Sequence, residues 1–495
     1  MIDQPSRTVT IVGGGLAGLA AACALADSGH HVRLLERRPY VGGRASSYEH
    51  PGTGEVIDNC QHVLIGRCTN LVDLYRRLDA LDAIRWYDHF TFIEPGGRRT
   101  LLQPSSLPAP LHTSLSFLRA PAFSVSDKLA IARGMSSFLT GIPEDTDENF
   151  AQWLARHGQT PRAIQRFWHP VLVSALNEDL DRISVKYAGK VFRESFLLSP
   201  AAGRMGIPAI PLSDLYGRAI DYLRARGGEV HLRTSVDAIE QIDPSEPEAG
   251  WTIRSGDRTF TSDAVILALS FEALASLLPA LPHNAQSEDL AADLAQFEHS
   301  PITGIHLWFD REITELEHAV LLDSTIQWLF NKSRLQPTHR TQPGSYIELV
   351  VSSSKSLVPM QRQEIIDLAL RELGQFFPLV ASAKLEKAAV VKEVRATYSV
   401  RPLLDRIRPG AQSPWPGIYL AGDWITTGWP STMEGAVRSG YLAAEALTHA
   451  SGEPGRFLVP DLPHAGLMRL FLVNFRLLKS FRNRNRISHL ASGNI

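Results

Sequence analysis

Cysteine is scarce in this chain: Cys23, Cys60 and Cys68 are the only three in 495 residues. So sparse and odd a set makes no disulfide framework, which points to a reducing compartment. Charge bias is missing as well. The formal net charge is −2, so nothing global suits a nucleic-acid partner. No apolar run reaches the ~18 residues that a membrane-spanning helix needs. The start lacks the basic stretch and cleavage site of a secretory signal, so the expectation is a cytoplasmic protein. No metal is expected either, because Cys60, His62 and Cys68 are poorly spaced and lack a fourth ligand.

What is present has the balance of a soluble enzyme: 44% apolar and 21% charged residues, in a chain long enough for two intertwined domains. Thr8 to Val12 is a short β-branched run and reads as a buried parallel strand. Gly13 to Gly18 is a glycine loop, Leu16 to Ser28 an alanine-rich helix, and His31 to Leu35 a second strand. This is a βαβ opening. Leu101 to Phe196 is mostly helical in pattern, with proline-rich breaks at 104–110. Strands are expected at Gly228–Leu232, Val236–Ile242, Trp251–Arg254 and Ala264–Leu269, with a surface turn over Asp243–Gly250. More follow at Thr303–Phe309, Gln327–Asn331 and Tyr346–Val351, then a helix over Gln361–Gln375. Strand Gly417–Ala421 and helix Thr432–Leu447 close the pattern. Dinucleotide-type strands at the beginning, middle and end imply a discontinuous α/β domain from residues 1–75, 210–275 and 410–450. A second domain is expected from 76–209 and 276–409, with a tail at 451–495.

Gly13, Gly15 and Gly18 form G-x-G-x-x-G between strand and helix. The first glycine permits the turn, the second lets a pyrophosphate approach, and the third lets helix and strand pack. The helix start at Leu16 and Ala17 then offers N–H groups to the phosphates. Glu36, ending the second strand, suits a ribose diol. A tight turn with chance glycines would need none of these other parts. A second pair, Gly42 and Gly43, is followed by Arg44, and the chain closes with Gly422-Asp423 and Thr432-Met433-Glu434-Gly435-Ala436.

These three elements resemble the FAD-dependent amine oxidase and phytoene desaturase superfamily. The resemblance implies a Rossmann-like FAD-binding domain of the glutathione-reductase type with an inserted α+β substrate domain. It also implies roles: Gly42, Gly43 and Arg44 lie along the pyrophosphate, Asp423 reaches the ribityl and phosphate oxygens, and the helix start at Thr432–Ala436 faces the flavin pyrimidine edge. Val236, expected in a strand, offers its backbone to the adenine. Asp58-Asn59-Cys60-Gln61-His62, Arg204-Met205-Gly206 and Trp429-Pro430-Ser431-Thr432-Met433-Glu434-Gly435 are similar to the hydroxysqualene dehydroxylases within that superfamily. Cys60 departs from the pattern, standing where a glycine is expected.

That family likeness implies reductive removal of an allylic hydroxyl from hydroxysqualene in bacterial squalene and hopanoid biosynthesis, with hydride passing from reduced flavin to an allylic cation. The leaving oxygen needs an acid. His62, with an ordinary pKa near 6.5, is the first candidate; Glu434 and Asp58 are the others. A histidine here serves equally well as a hydrogen-bond partner of flavin or backbone. A carotenoid-type desaturase, an amine oxidase and a non-enzymatic prenyl-lipid carrier on the same fold stand as alternatives. Only one dinucleotide fingerprint is present, so electrons are expected from an external donor such as NAD(P)H.

A long isoprenoid substrate suggests a membrane surface. Two segments suit one: Pro104–Leu139, with the exposed-looking Leu115, Phe117, Leu118, Phe123, Phe138 and Leu139, and Leu467–Arg486. The latter carries six basic residues and no acidic one beside its leucines and phenylalanines. Packing on the core is the competing reading for both. The expectation is a protein peripheral to the inner face of the membrane.

Overall fold

The computed structural model describes residues 7–470, apart from 244, 247–248 and 340–343. Its first element, Thr8–Val12, is the central strand of a five-stranded parallel sheet. The strand order is Glu229–His231, His31–Leu35, Thr8–Val12, Ala264–Ala268, Ile418–Ala421. Ile11 is in register with Leu34 on one side and Ile266 on the other. Ala264–Ala268 and Ile418–Ala421 are buried throughout, as strands of a covered parallel sheet are, whereas His31–Leu35 alternates and the edge strand Glu229–His231 is half-buried.

Two helices lie together on this sheet. Leu16–Asp27 is buried from Leu16 to Ala26, which explains its small residues. Met433–Ala450 crosses it so closely that a Cβ on Gly440 would stand 2.1 Å from the Ala17 carbonyl oxygen. A three-stranded antiparallel meander, Ala238–Gln241, Trp251–Ser255 and Arg258–Ser262, flanks the sheet. Val236 precedes this meander in a loop, not in a strand as expected. Its side chain joins the apolar cluster of Val12 and Leu35 all the same. The strand begins two residues later because Asp237 is the first residue to bond across to Arg254.

The second large sheet has seven strands, ordered Leu385–Tyr398, His299–Phe309, Ser345–Ser352, Trp328–Asn331, His318–Leu321, Phe90–Ile93, Arg99–Leu102. Four of these, His318–Leu321, Phe90–Ile93, Arg99–Leu102 and the fourteen-residue Leu385–Tyr398, escaped the pattern reading. Helices from Val125 to Phe192 pack an aromatic core of Phe138, Phe150, Trp153, Trp168 and Phe192 beside it. Phe138 and Phe123, expected at the surface, belong to this core, at 0% and 6% exposure. Leu115 and Leu118 are exposed as expected, joined by Leu111, Val125 and Leu129.

Candidate cofactor and active site

The glycine loop is built for close approach. Gly13 turns at φ +108°, and a Cβ there would meet the Ala268 oxygen at 2.4 Å. A Cβ on Gly18 would lie 1.9 Å from the Gly13 oxygen. Gly15 is different: its Cβ would find only the Gly43 Cα, at 3.9 Å. Protein packing thus dictates Gly13 and Gly18, whereas the face of Gly15 is open. Gly15 is also the N-cap of Leu16–Asp27, which has no side-chain cap and no acidic residue in its first turn. Its N–H groups and positive dipole end, at Leu16 and Ala17, suit an anion.

The second glycine pair lies against the first. Gly42 donates its N–H to the Gly14 oxygen at 2.8 Å, and Gly42 and Gly43 have φ of +105° and +64°. Glu36 is buried at 6% exposure. It accepts the Gly14 N–H through Oε2 and the Arg38 N–H through Oε1, both at 2.7 Å. Each oxygen keeps a lone pair for a ribose hydroxyl.

Arg44 is ion-paired with Asp423 and donates to the Ala396 carbonyl at 2.9 Å. Asp423 also accepts from the Ser431 hydroxyl. The strand end Gly422 adopts φ +149°. Arg408, wholly buried, wraps the loop that follows. It donates to the carbonyls of Asp423 at 3.1 Å, Trp424 at 3.0 Å and Trp429 at 3.0 Å. Thr432 caps the closing helix, its Oγ1 accepting from Gly435 at 3.1 Å. A Cβ on Gly435 would come within 2.7 Å of the Pro430 oxygen. Met433 turns its sulfur to the Tyr216 hydroxyl at 3.5 Å, and Ala436 is packed against the nucleotide-side core. The open Gly15 face, the uncapped helix and the buried Glu36 fit a dinucleotide.

The three acid candidates fare differently. Glu434 is fully buried. Its carboxylate accepts from Leu71 N–H at 2.8 Å, Asn70 N–H at 3.2 Å, Asn70 Nδ2 at 3.0 Å and Arg438 Nε at 2.7 Å. It caps the helix Thr69–Arg77 from across the domain, so these four bonds give the carboxylate an anchoring part beside the expected proton-donor role.

Asp58 is likewise committed to its neighbours. It accepts from Ser47 Oγ at 2.5 Å, Leu212 N–H at 3.1 Å and Lys332 Nζ at 2.6 Å. Burial alone would raise its pKa, but the Lys332 ammonium and these hydrogen bonds outweigh burial and hold it below the usual range. It stays ionised and gives up no proton near neutrality.

His62 is half-buried, with Nδ1 2.7 Å from the Cys60 carbonyl oxygen. A carbonyl only accepts, so Nδ1 carries the hydrogen and the neutral ring offers a lone pair at Nε2. Burial lowers its pKa against the pull of that carbonyl and of Asp58. His62 is therefore a base at neutral pH and donates only after taking a proton.

Lys332, Glu348 and His306 form a buried polar cluster beside this loop that the sequence reading missed. Lys332 Nζ reaches Asp58, Gln61 Oε1 at 2.9 Å and Glu348 at 3.4 Å. His306 faces Glu348 across the sheet and meets the Tyr346 hydroxyl at 2.7 Å. On the same strand, a Cβ on Gly304 would be 3.3 Å from the Asn59 oxygen. Asn59 in turn donates through Nδ2 to the Arg44 carbonyl at 2.6 Å. The 58–62 loop is thus wedged between the arginine of the glycine pair and the seven-stranded sheet.

Strand Met205–Pro208 pairs with Leu64–Ile65, directly after His62. Just before that strand, Gly203 forms part of the wall of an apolar cavity of about 240 Å³, lined by Phe90, Leu102, Phe117, Met135, Phe167 and Phe196. Leu111 also borders it. At the same rim, Leu467 donates its N–H to the Ala109 carbonyl at 2.8 Å, and Met468 is buried with Ala109 and Leu198. The basic tail beyond Leu470 lies outside the described residues. Among the described residues, no cluster of histidine, cysteine or carboxylate suits a metal, and no helix is long and apolar enough to cross a membrane.

Comparison with known proteins agrees with this geometry. The sequence model of the family described as flavin containing amine oxidoreductase matches residues 16–448. A probable zeta-carotene desaturase of Synechococcus elongatus is 28% identical over 479 residues, covering 89% of this chain and 98% of that protein. The chloroplastic/chromoplastic 15-cis-phytoene desaturase of Arabidopsis thaliana is 27% identical over 461 residues, covering 89% and 79%. Among solved structures, an oxidoreductase from Methanosarcina mazei superposes with TM-score 0.69 at 18% identity, covering 89% of this chain and 100% of that one. Cyclohexylamine oxidase from Brevibacterium oxydans gives TM-score 0.62 at 21% identity, covering 90% and 100%. These two likenesses concern the fold alone.

Proposed function

The chain belongs to the family of flavin containing amine oxidoreductases, and from that premise we propose that it is an FAD-dependent hydroxysqualene dehydroxylase. FAD, when bound and reduced by an external donor, would supply the hydride that such a reduction consumes. Gly13, Gly15, Leu16, Ala17, Gly18, Glu36, Gly42–Arg44, Val236, Gly422, Asp423, Thr432, Met433, Gly435 and Ala436 would hold it. The remaining work falls to the polypeptide: to admit a long apolar chain, to exclude water and to move one proton.

The observation that carries this reading is the aromatic-lined cavity, tied through strand Met205–Pro208 to the loop that bears His62. Its volume of about 240 Å³ is below the ≈ 300–1,000 Å³ of ordinary ligand pockets. It takes one end of an isoprenoid, the rest lying along the exposed apolar rim. Departure of an allylic hydroxyl needs a proton on the oxygen and dry surroundings for the carbon left behind. His62 takes up a proton at the Nε2 lone pair and passes it to that oxygen, Nδ1 being committed to Cys60. With one dinucleotide fingerprint in the chain, the reductant is an external donor, and NAD(P)H is the first to try.

The rim also supports docking on a lipid surface. Leu111, Leu118, Val125 and Leu129 are 46–73% exposed beside the cavity, and the chain leaves the rim at Leu467 towards its basic tail.

The relatives named for zeta-carotene and phytoene favour a second reading, in which the same site withdraws hydride from a saturated carotenoid precursor. Anaerobic incubation with hydroxysqualene and chemically reduced FAD, followed by product analysis, separates the two. Squalene is expected. Absence of squalene, together with desaturation of phytoene or zeta-carotene by the oxidised protein, would establish the second reading in its place.

A further inference from the structure

Lys332 occupies the first position of the short helix Lys332–Leu335, at the end of strand Trp328–Asn331 in the seven-stranded sheet. Its side chain is only 1% exposed, and Asp58 and Glu348 beside it are 2% and 0% exposed. Three ionisable groups buried together are costly to desolvate, and apolar packing of equal volume is often as stable. Such a cluster is best explained when it fixes a geometry that apolar side chains would leave loose.

The bonds of Lys332 show which geometry. An ammonium has three N–H groups; Lys332 donates to Asp58 at 2.6 Å and to Gln61 at 2.9 Å, and Glu348 lies 3.4 Å away as an ion-pair neighbour. Asp58 ends strand Val56–Asp58 and binds the first N–H of helix Leu212–Arg224. Gln61 passes the constraint on: its Nε2 donates to the His62 carbonyl at 2.9 Å, and the His62 ring is tied back to Cys60. Asn59 fixes the other end of the loop to Arg44 at 2.6 Å. One side chain at the end of a strand of the seven-stranded sheet therefore ties down the 58–62 loop, which on its far side is bonded to Arg44 beside the glycine pair.

We propose that Lys332 is a positioning residue, which acts through Gln61 and Asp58 to hold the Asn59–His62 loop, and the His62 ring with it, in the place that FAD binding requires. This rests on FAD as the cofactor and not on the choice of substrate. An incorrect assignment of hydroxysqualene leaves it untouched.

The test is an FAD titration of the apoprotein, followed by flavin fluorescence and by the visible flavin band. It compares wild type with Lys332→Met, Gln61→Met and the double variant Lys332→Met/Asp58→Asn, each first shown to be folded by far-UV circular dichroism. Gln61→Met leaves every charge in place and removes both the Lys332 bond to Gln61 and the Gln61 bond to His62, which is the path proposed, so it carries the test where Lys332→Met does not fold. Gln61→Met and the double variant are each expected to bind FAD about tenfold more weakly, the worth of one buried hydrogen bond to a charged group, with a displaced flavin band. Wild-type affinity and an unmoved band in Gln61→Met would overturn the proposal. So would full recovery in the double variant, because Lys332 would then serve only to neutralise Asp58.

Discussion

Arg44 and Asp423 are ion-paired across 379 residues of sequence. The pair joins the second glycine element to the closing strand, and the Arg44 bond to Ala396 adds the long strand of the other sheet. Two sites that the family likeness assigns separately to phosphate and ribityl thus behave as one unit. Groups in one ion-paired network are not additive. Arg44→Met and Asp423→Asn are each expected to weaken FAD binding about tenfold, and the double variant no more than the worse single one. Calorimetric titration of the four proteins checks this; strict additivity would contradict the coupling.

The glycines separate packing from binding. A Cβ on Gly18 collides with the Gly13 oxygen at 1.9 Å, whereas one on Gly15 finds open space. Gly18→Ala should lower the melting temperature of the apoprotein. Gly15→Ala should leave it within about 2 °C, a few tenths of a kcal/mol in a protein of this size, yet lose FAD affinity, because its methyl group lies where a pyrophosphate approaches. A destabilised apo Gly15→Ala would show that the loop is tighter than its open face suggests.

Glu434 is held by four donors and is fully buried. Glu434→Ala leaves the first turn of Thr69–Arg77 and Arg438 short of an acceptor, at an expected loss of about 3 kcal/mol. Glu434→Gln keeps much of the cap and should lose far less. If Glu434 is an anchor and not an acid, the pH–rate profile of Glu434→Gln keeps the wild-type shape. Loss of the acidic or basic limb would restore it as a proton donor. Urea unfolding and a pH series on the same two variants give both answers.

The contrast between Glu434 and Glu36 shows where sequence reading stops. Glu36 was legible because strand, glycine loop and helix place it by local rules alone. Glu434 sits in an equally recognisable run, but its partners, Asn70 and Leu71, lie more than 360 residues away. No local rule reveals such a contact. Glu348 was closer to legible: a lone carboxylate inside the apolar strand Ser345–Ser352 demands a partner. The partner, Lys332, follows a strand and reads as an ordinary surface turn. Strand Leu385–Tyr398 was missed for another reason. It is half exposed and interrupted by a bulge opposite Ser300–Ile302, so its alternation is broken. Val236 was placed two residues early because β-branched composition does not mark where pairing begins.

Lipid docking is testable on the rim. Leu118, Val125 and Leu129 are 62%, 73% and 67% exposed. Glutamate at all three positions should leave the fold and the flavin spectrum unchanged, since nothing is buried there. Sedimentation with vesicles containing anionic lipid should fall several-fold, as apolar contact is exchanged for repulsion. Undiminished sedimentation would remove the rim from the docking surface and leave the basic tail as the element to test.

Glu348 should make stability depend on pH. Burial raises its pKa to about 7, with the Asp58 carboxylate adding to the rise and Lys332 and the Gln61 N–H opposing it. Neither of those two is well enough directed to count as a full hydrogen bond, although Lys332 Nζ is 3.4 Å away. Burial lowers the pKa of the nearby His62 and His339, which are common to wild type and Glu348→Gln. Burial keeps His306 neutral down to about 3. Burial pushes the Cys60 thiol and the Tyr346 hydroxyl well up. Asp58 stays ionised, and Lys332, for which the two carboxylates outweigh burial, stays charged. The folded protein therefore keeps a proton on Glu348 that the unfolded chain releases near 4.5. That contribution is fully present below the unfolded value and is lost as pH rises through about 7. Asp58 has the opposite sign, and its contribution disappears only on acidification, so it stays constant from pH ~5 to ~8. Over that interval the stability of wild type relative to Glu348→Gln should fall by about 2–3 kcal/mol. Urea unfolding of both proteins at the two ends measures it. Parallel pH dependence in the two would mean that Glu348 is already ionised at pH ~5, and that the Lys332 cluster carries a net negative charge throughout.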